Sequence, residues 1–176
     1  DAKWALMTRI TIAVAQKTLH DAGVFSVSGS KLTFDEIMAT LGADEMYRHL
    51  IARWLERLCA QGVLQLYDGE YVATAPQTAP DMKVLWEEAQ GLFADNTALL
   101  NYVRHCASLA PDVISGRCSP LETLFPDGTF ELAQALYEDS AMMRYINGLA
   151  RSAVASMAGM QGVGHALDVL VFVYGH

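Results

Sequence analysis

The stretch Val63-Leu-Gln-Leu-Tyr-Asp-Gly-Glu-Tyr-Val-Ala-Thr74 decides how the first half of the chain is read. Asp68-Gly69 separates two short runs, 63–67 and 70–74, that are rich in β-branched, aromatic and aliphatic residues. A type I′ turn needs positive φ at both central positions, and Asp-Gly accepts it at low steric cost, so the stretch predicts a β-hairpin. Working upstream, residues 45–61 place Leu50, Trp54 and Leu58, joined by Ile51 and Leu55, on one side of a helix that Gly62 ends. Thr33-Phe-Asp-Glu36 fits a capping box. The Thr33 hydroxyl accepts from the Glu36 backbone N–H while the Glu36 carboxylate reaches back, opening a short helix over 34–41 that stops at Gly42. Residues 24–31, rich in Gly and Ser, read as a loop. Before them, 4–22 carry Leu6, Ile10, Ala13, Val14 and Leu19 along one helical face, with Ala22-Gly23 as the stop.

Helix, short helix, turn, longer helix, hairpin is the order of a winged helix-turn-helix. Such units bind DNA, or serve for packing and dimerisation. A DNA reader presents basic and amide residues on its second helix. Here Arg48, Arg53 and Arg57 face Glu45 and Glu56, and residues 1–75 hold seven Lys/Arg against nine Asp/Glu. The whole chain carries a net charge of −8, which argues against a phosphate backbone as its main partner.

Residues 75–80, with two prolines, read as a linker, and helical patterns follow over 81–93 and 96–109, the second closed by Ala110-Pro111. His105 lies within that second helix without another His or carboxylate at ligand spacing and reads as a structural histidine. After a short connection at 113–117, Ser119-Pro-Leu-Glu122 is a second capping-box pattern with proline at the first helical position. The short helix it opens ends near Phe125, and Pro126-Asp-Gly128 turns the chain. A helix over 129–138 aligns Phe130, Ala133, Leu136 and Tyr137. Asp139-Ser140 caps a final helix over 141–158, with Met142, Ile146, Leu149, Ala153 and Met157 at spacings of three and four and Gly159 as terminator.

Of 176 residues, 52% are hydrophobic, enough for a buried core. The longest apolar run, 167–174, falls far short of the roughly 20 residues that span a bilayer, and no signal segment opens the chain. It starts at Asp1 inside an apolar helical pattern, which suggests a piece of a longer polypeptide. Three cysteines, Cys59, Cys106 and Cys118, show no CxxC spacing. The helix-borne Cys59 and Cys106 read as small core residues, in a reducing cytoplasm.

The segment from Ser119 to Gly148 carries PLETLFPDG, ALYEDS and RYINGL in order. It resembles the part just before the S-adenosylmethionine-binding core in carbon-methyltransferase domains of modular polyketide synthases. The winged-helix pattern of residues 1–75 resembles the amino-terminal region of those domains. The resemblance implies a mainly α fold: a winged-helix-like unit with one β-hairpin over 1–75, a helical lid bundle over 76–160, and an incomplete first core strand over 161–176. In that family the next element is a strand followed by a glycine-rich acidic turn, whose glycines let the backbone approach the methyl donor at a helix N-terminus. Here Ala166-Leu-Asp-Val-Leu-Val-Phe-Val-Tyr-Gly-His176 supplies the strand pattern without that motif. Gly159-x-x-Gly162-x-Gly164 precedes the strand, the wrong order for a nucleotide turn. The expectation is therefore no cofactor in this chain, with S-adenosylmethionine bound only if a core domain is supplied elsewhere, and a strand at 167–173 that needs a pairing partner.

By the same resemblance Phe125, Tyr137, Tyr145 and Asn147 are candidates for a substrate-facing wall, against the plainer reading of aromatic core packing at helical spacing. Met142, Met143 and Met157 read as core or interface filler. No catalytic residue and no metal ligand set stands out, and His165 and His176 support no metal site. Three functions remain: a non-catalytic methyltransferase-like lid packing on a neighbouring synthase domain, the lid half of an active methyltransferase acting on a carrier-bound acyl substrate, and a winged-helix DNA-binding regulator. Expected partners are an adjacent synthase domain and a second copy of the chain. An acyl carrier protein is expected only indirectly, since carrier proteins are usually acidic like this chain. Nucleic acid and membrane are not expected.

Overall fold

A computed structural model describes residues 2–27, 29–74, 80–139 and 141–160. The first helix, α1 (Ala2–Asp21), buries Leu6, Ile10, Ala13, Ala15, Thr18 and Leu19. A three-residue strand β1 (Lys31–Thr33) leads straight into α2 (Phe34–Leu41), and α3 (Arg48–Ala60) follows after a single 3₁₀ turn over Glu45–Tyr47. The hairpin is β2 (Leu64–Tyr67) and β3 (Glu70–Ala73). All three strands form one antiparallel sheet in the order β1-β3-β2, with Leu32 and Leu66 both opposite Tyr71.

The local signals act as the residues dictate. Asp68 and Gly69 have φ of 51° and 81°, the two positive values a primed turn demands. The Thr33 Oγ1 accepts from the Glu36 N–H at 3.3 Å, and the Thr33 N–H donates to the Glu36 carboxylate at 2.8 Å, completing the capping box. The helices α1, α2 and α3 end alike. The residue after a left-handed glycine donates to the carbonyl five positions back: Val24 to Leu19 at 2.9 Å, Ala43 to Met38 and Val63 to Leu58 at 3.0 Å.

Strand β1 begins at the last residue of the 24–31 segment read as loop and runs into the Thr33 cap, where no strand is expected. Three residues are too few for an alternating pattern, and they become a strand only because β3 offers a free edge. On α3 the buried face is Ile51, Trp54, Leu55 and Leu58, while Leu50 stays exposed, so the apolar stripe is centred one residue later than its first member suggests.

The second half begins with α4 (Met82–Leu92), capped by Asp81, and α5 (Thr97–Ile114), capped by Asn96. Helix α5 does not close at Pro111 but runs one further turn. Proline there forfeits one N–H bond, yet the turn holds because Val113 and Ile114 are buried and the Asp112 carbonyl accepts from the Arg117 and Cys118 N–H groups. The second capping-box pattern also resolves differently. Residues Pro120–Thr123 form a 3₁₀ turn in which Ser119 Oγ accepts from the Leu121 N–H at 3.3 Å. The tighter pitch brings the second amide under the cap instead of the third, and Glu122 turns forward to accept from the Asp127 N–H at 3.0 Å.

The helix expected over 129–138 is one turn of α6 (Glu131–Gln134) followed by a wider π turn, Ala135–Asp139. The last helix, α7 (Ala141–Met160), passes through Gly159 instead of ending before it. The linker at 75–79, the cap at Ser140 and the strand over 167–173 lie outside the described residues.

Two apolar clusters hold the elements from α1 to α5. One gathers α2, α3, the sheet and the C-terminal half of α1 around Phe25, Ile37, Ile51, Leu55 and Leu58, with Ile114 of α5 reaching in. The other joins Leu6 and Ile10 of α1 to Ala89, Phe93 and Leu100. Helix α1 thus serves both, and a bond from the Asp44 N–H to the Ile114 carbonyl at 2.7 Å ties the α2–α3 turn to the end of α5. No helix among the described residues is long and apolar enough to cross a membrane.

Candidate functional site

Among the described residues no group of three or more His, Cys, Asp and Glu side chains is gathered to hold a metal ion. His105 sits 2.9 Å from the Glu122 carbonyl through Nε2. A carbonyl only accepts, so Nε2 carries the proton, and the ring ties α5 to the 120–123 turn. The Cys59 thiol is pushed up by burial, away from the thiolate form. Tyr102 is likewise raised, first by burial and then by its hydrogen bond with Cys106. Arg48, the first basic residue of α3, is held by Asp35 at 2.6 Å and Glu45 at 2.8 Å, and lies over the Phe34 ring.

An apolar cleft with a volume of about 390 Å³ is built from three separated parts of the chain: Trp4 and Met7 of α1, Phe93 and Leu99 around the α4–α5 turn, and Met142 of α7. Its rim carries one ion pair, Lys3 Nζ to Asp95 at 2.6 and 2.7 Å, with the ammonium 5.4 Å from the centre of the Phe93 ring. The Lys3 hydrogen bond holds the Asp95 carboxyl below the usual carboxylate range. A smaller hollow of about 190 Å³ shares Asn96, Leu99 and Met142 and adds Leu136, Tyr137 and Met143. Together they make one apolar trough from the start of α1 to the π turn.

The four expected wall residues do not share one place. Tyr137 lines the smaller hollow from the middle of the π turn. Asn147 stands behind it, its Nδ2 donating to the Tyr137 carbonyl at 3.1 Å. A π turn shifts the usual carbonyl pairing, and this side chain supplies a partner at the altered position. Phe125 is half-buried and packs edge-on against Phe130, with ring centres 5.2 Å apart. Tyr145 is 68% exposed on α7. It shares that surface with Met142, Ile146, Leu149 and Met157, all exposed, at the spacing that lines one side of a helix.

Sequence reading missed Trp4, Phe93 and Leu99 as trough residues. One signal was present: Trp4 falls off the face set by Leu6, Ile10 and Ala13, and a tryptophan off the core stripe is exposed. Nothing local joins Trp4 to Met142, which line one cleft from opposite ends of the chain.

No family model matches the chain. It is 24% identical over 160 residues to pyochelin synthetase PchF of Pseudomonas aeruginosa, strains UCBPP-PA14 and PAO1, an alignment covering 89% of this chain and 9% of PchF. The chain therefore spans about a tenth of the curated relatives it matches. Among solved structures, the DszA carbon methyltransferase superposes with a TM-score of 0.74 at 18% identity, covering 96% of this chain and 43% of that one. The CurJ carbon methyltransferase superposes with a TM-score of 0.67 at 22% identity, covering 80% and 37%. The chain has the fold of a part of these two structures: mainly helical, with one small antiparallel sheet.

Proposed function

We propose that the chain is a methyltransferase-like lid region of a polyketide or nonribosomal synthase, non-catalytic by itself, which caps a neighbouring domain of the same polypeptide. The observation that carries this reading is the face of α7. Met142, Tyr145, Ile146, Leu149 and Met157 are exposed along one side of a single helix, next to the trough under Trp4 and Phe93. A monomeric surface seldom leaves so much contiguous apolar area in water. The likeness to two carbon-methyltransferase structures over less than half their length supports a neighbouring domain of the same polypeptide as the cover.

The methyl donor does not fit the described residues. Donor binding of the family type calls for a strand that ends in a glycine turn at a helix N-terminus. Strand β1 passes into α2 at Thr33–Phe34 with no glycine between them, and the N-terminus of α2 is filled by its own capping box. The Asp95 carboxylate at the trough is taken by Lys3. No step of methyl transfer is therefore assigned to these side chains. Phe125, Tyr137, Tyr145 and Asn147 are proposed to shape the approach of a substrate to the neighbouring domain, with Tyr137 and Asn147 acting through the π turn. In a cytoplasmic synthase the partners would be that domain, a second copy of the chain, and a carrier protein only indirectly. With Arg48 engaged by two carboxylates and a net charge of −8, DNA is not a proposed partner of the winged-helix-like unit.

A second reading follows from the same superpositions: the chain is the lid half of an active carbon methyltransferase. One experiment separates the two. S-adenosylmethionine is titrated calorimetrically into the 176-residue chain and into the natural polypeptide that contains it. The first reading expects no saturable heat from either. Binding by the natural polypeptide alone selects the active-lid reading, and binding by the isolated chain overturns both.

A further inference from the structure

A second groove, of about 400 Å³, runs between α1 and the α4–α5 pair, lined by Lys17, Asp21, Met82, Trp86, Arg104 and Pro111 among others. It continues into a shallower hollow of about 500 Å³ that shares Trp86 and Arg104 and adds Lys83 and Glu87. Arg104 belongs to both. Its guanidinium lies 5.3 Å from the centre of the Trp86 ring, and its Nε is buried with no hydrogen-bond partner among the described residues.

The groove's charges are otherwise matched. Asp21 is held by Lys17, and Glu87 stands 3.9 Å from Lys83. Arg104 joins none of the ion pairs among the described residues. A guanidinium beside an aromatic face, on a residue that lines both hollows, can receive two oxygens of one anion through its planar fork. Buried N–H groups are almost always paired, so the orphaned Nε also points to a missing acceptor.

We propose that Arg104, stacked on Trp86, anchors a binding subsite for the oxyanion of a small organic molecule, a carboxylate or a phosphate, whose apolar portion lies along Met82 and Pro111. Ser108 lines the same groove with a hydroxyl. The inference is independent of the lid reading, because the trough and the face of α7 take no part in it.

The test follows the Trp86 indole N–H and the Arg104 Nε–H by NMR in the 176-residue chain. Sodium phosphate and sodium acetate are titrated separately at constant ionic strength. A saturable shift of both signals is expected with at least one anion, lost in Arg104→Met. It should weaken by about tenfold or more in Arg104→Lys, which keeps the charge without the fork. Tighter saturation by phosphate identifies a phosphate-bearing ligand, and tighter saturation by acetate a carboxylate-bearing one. Shifts that grow linearly with either salt, follow chloride equally, or persist unchanged in Arg104→Lys would overturn the subsite, so the question is settled even if Arg104→Met fails to fold.

Discussion

The hairpin-bearing region and the last two helices are made of similarly apolar sequence, yet they use it differently. From Val24 to Ala73 the large apolar residues converge: Phe25, Ile37, Ile51, Leu55, Leu58 and Leu64 are almost wholly out of water. Beyond Ile114, Ala133 is the buried apolar residue among the described ones, while Phe130, Tyr137, Tyr145, Leu149 and Met157 are exposed. Both regions have helical periodicity of equal clarity. Periodicity says that a face exists, and the neighbour decides whether that face is a core or a docking surface.

The contrast can be broken at three points. Leu55→Ala, at a fully buried position on α3, should cost about 2–5 kcal/mol in urea unfolding, since it removes packed atoms and leaves a cavity. A loss under 1 kcal/mol would mean that the first cluster is as loose as the second. Thr33→Ala should cost about 1 kcal/mol by deleting the α2 cap. It also bears on pH. The hydrogen bonds from the Thr33 N–H and then its hydroxyl lower the Glu36 carboxyl from its ordinary 4.5. A depressed folded-state pKa gives stability that is present above that value and lost as pH falls through the lowered one. Thr33→Ala keeps the backbone bond and loses the hydroxyl's, so stability measured from pH 6 to pH 3 should fall slightly less steeply, and an unchanged acid limb would remove the hydroxyl from the account. The smallest effect is expected at Leu149→Ala on the exposed face of α7, within about 0.5 kcal/mol in the chain by thermal unfolding. A loss near that of Leu55→Ala would show that this face is already packed.

Legibility in the sequence tracks the range of the forces involved. The primed turn at Asp68-Gly69, the cap at Thr33 and the glycine stops of α1, α2 and α3 were readable, because each rests on bonds within five residues. The last turn of α5 past Pro111 was not, since Val113 and Ile114 are buried by tertiary neighbours, with Ile114 reaching the first cluster, and these outweigh the local proline signal. The π turn at Ala135–Asp139 was equally hidden. An inserted residue leaves the apolar spacing of Phe130, Ala133 and Tyr137 nearly unchanged, while the carbonyl it displaces is met by Asn147, ten residues on. Of the candidate site, the aromatic and methionine residues of 125–157 were visible as a set, but not their separation into a packed pair, a π-turn wall and an exposed stripe.

By itself, then, the sequence determined the helices α1 to α4, the cap at Thr33, the hairpin and the acidic balance that argues against nucleic acid. These depend on backbone dihedrals, short hydrogen bonds and summed charge, which chain neighbours set. Only the tertiary structure decided that β1 pairs with β3, that α1 bridges two cores, that Trp4 and Met142 line one cleft, and that Arg104 lies over Trp86 with no ion-pair partner among the described residues. Those outcomes join residues tens of positions apart, where packing of whole elements, and no local preference, selects the neighbour.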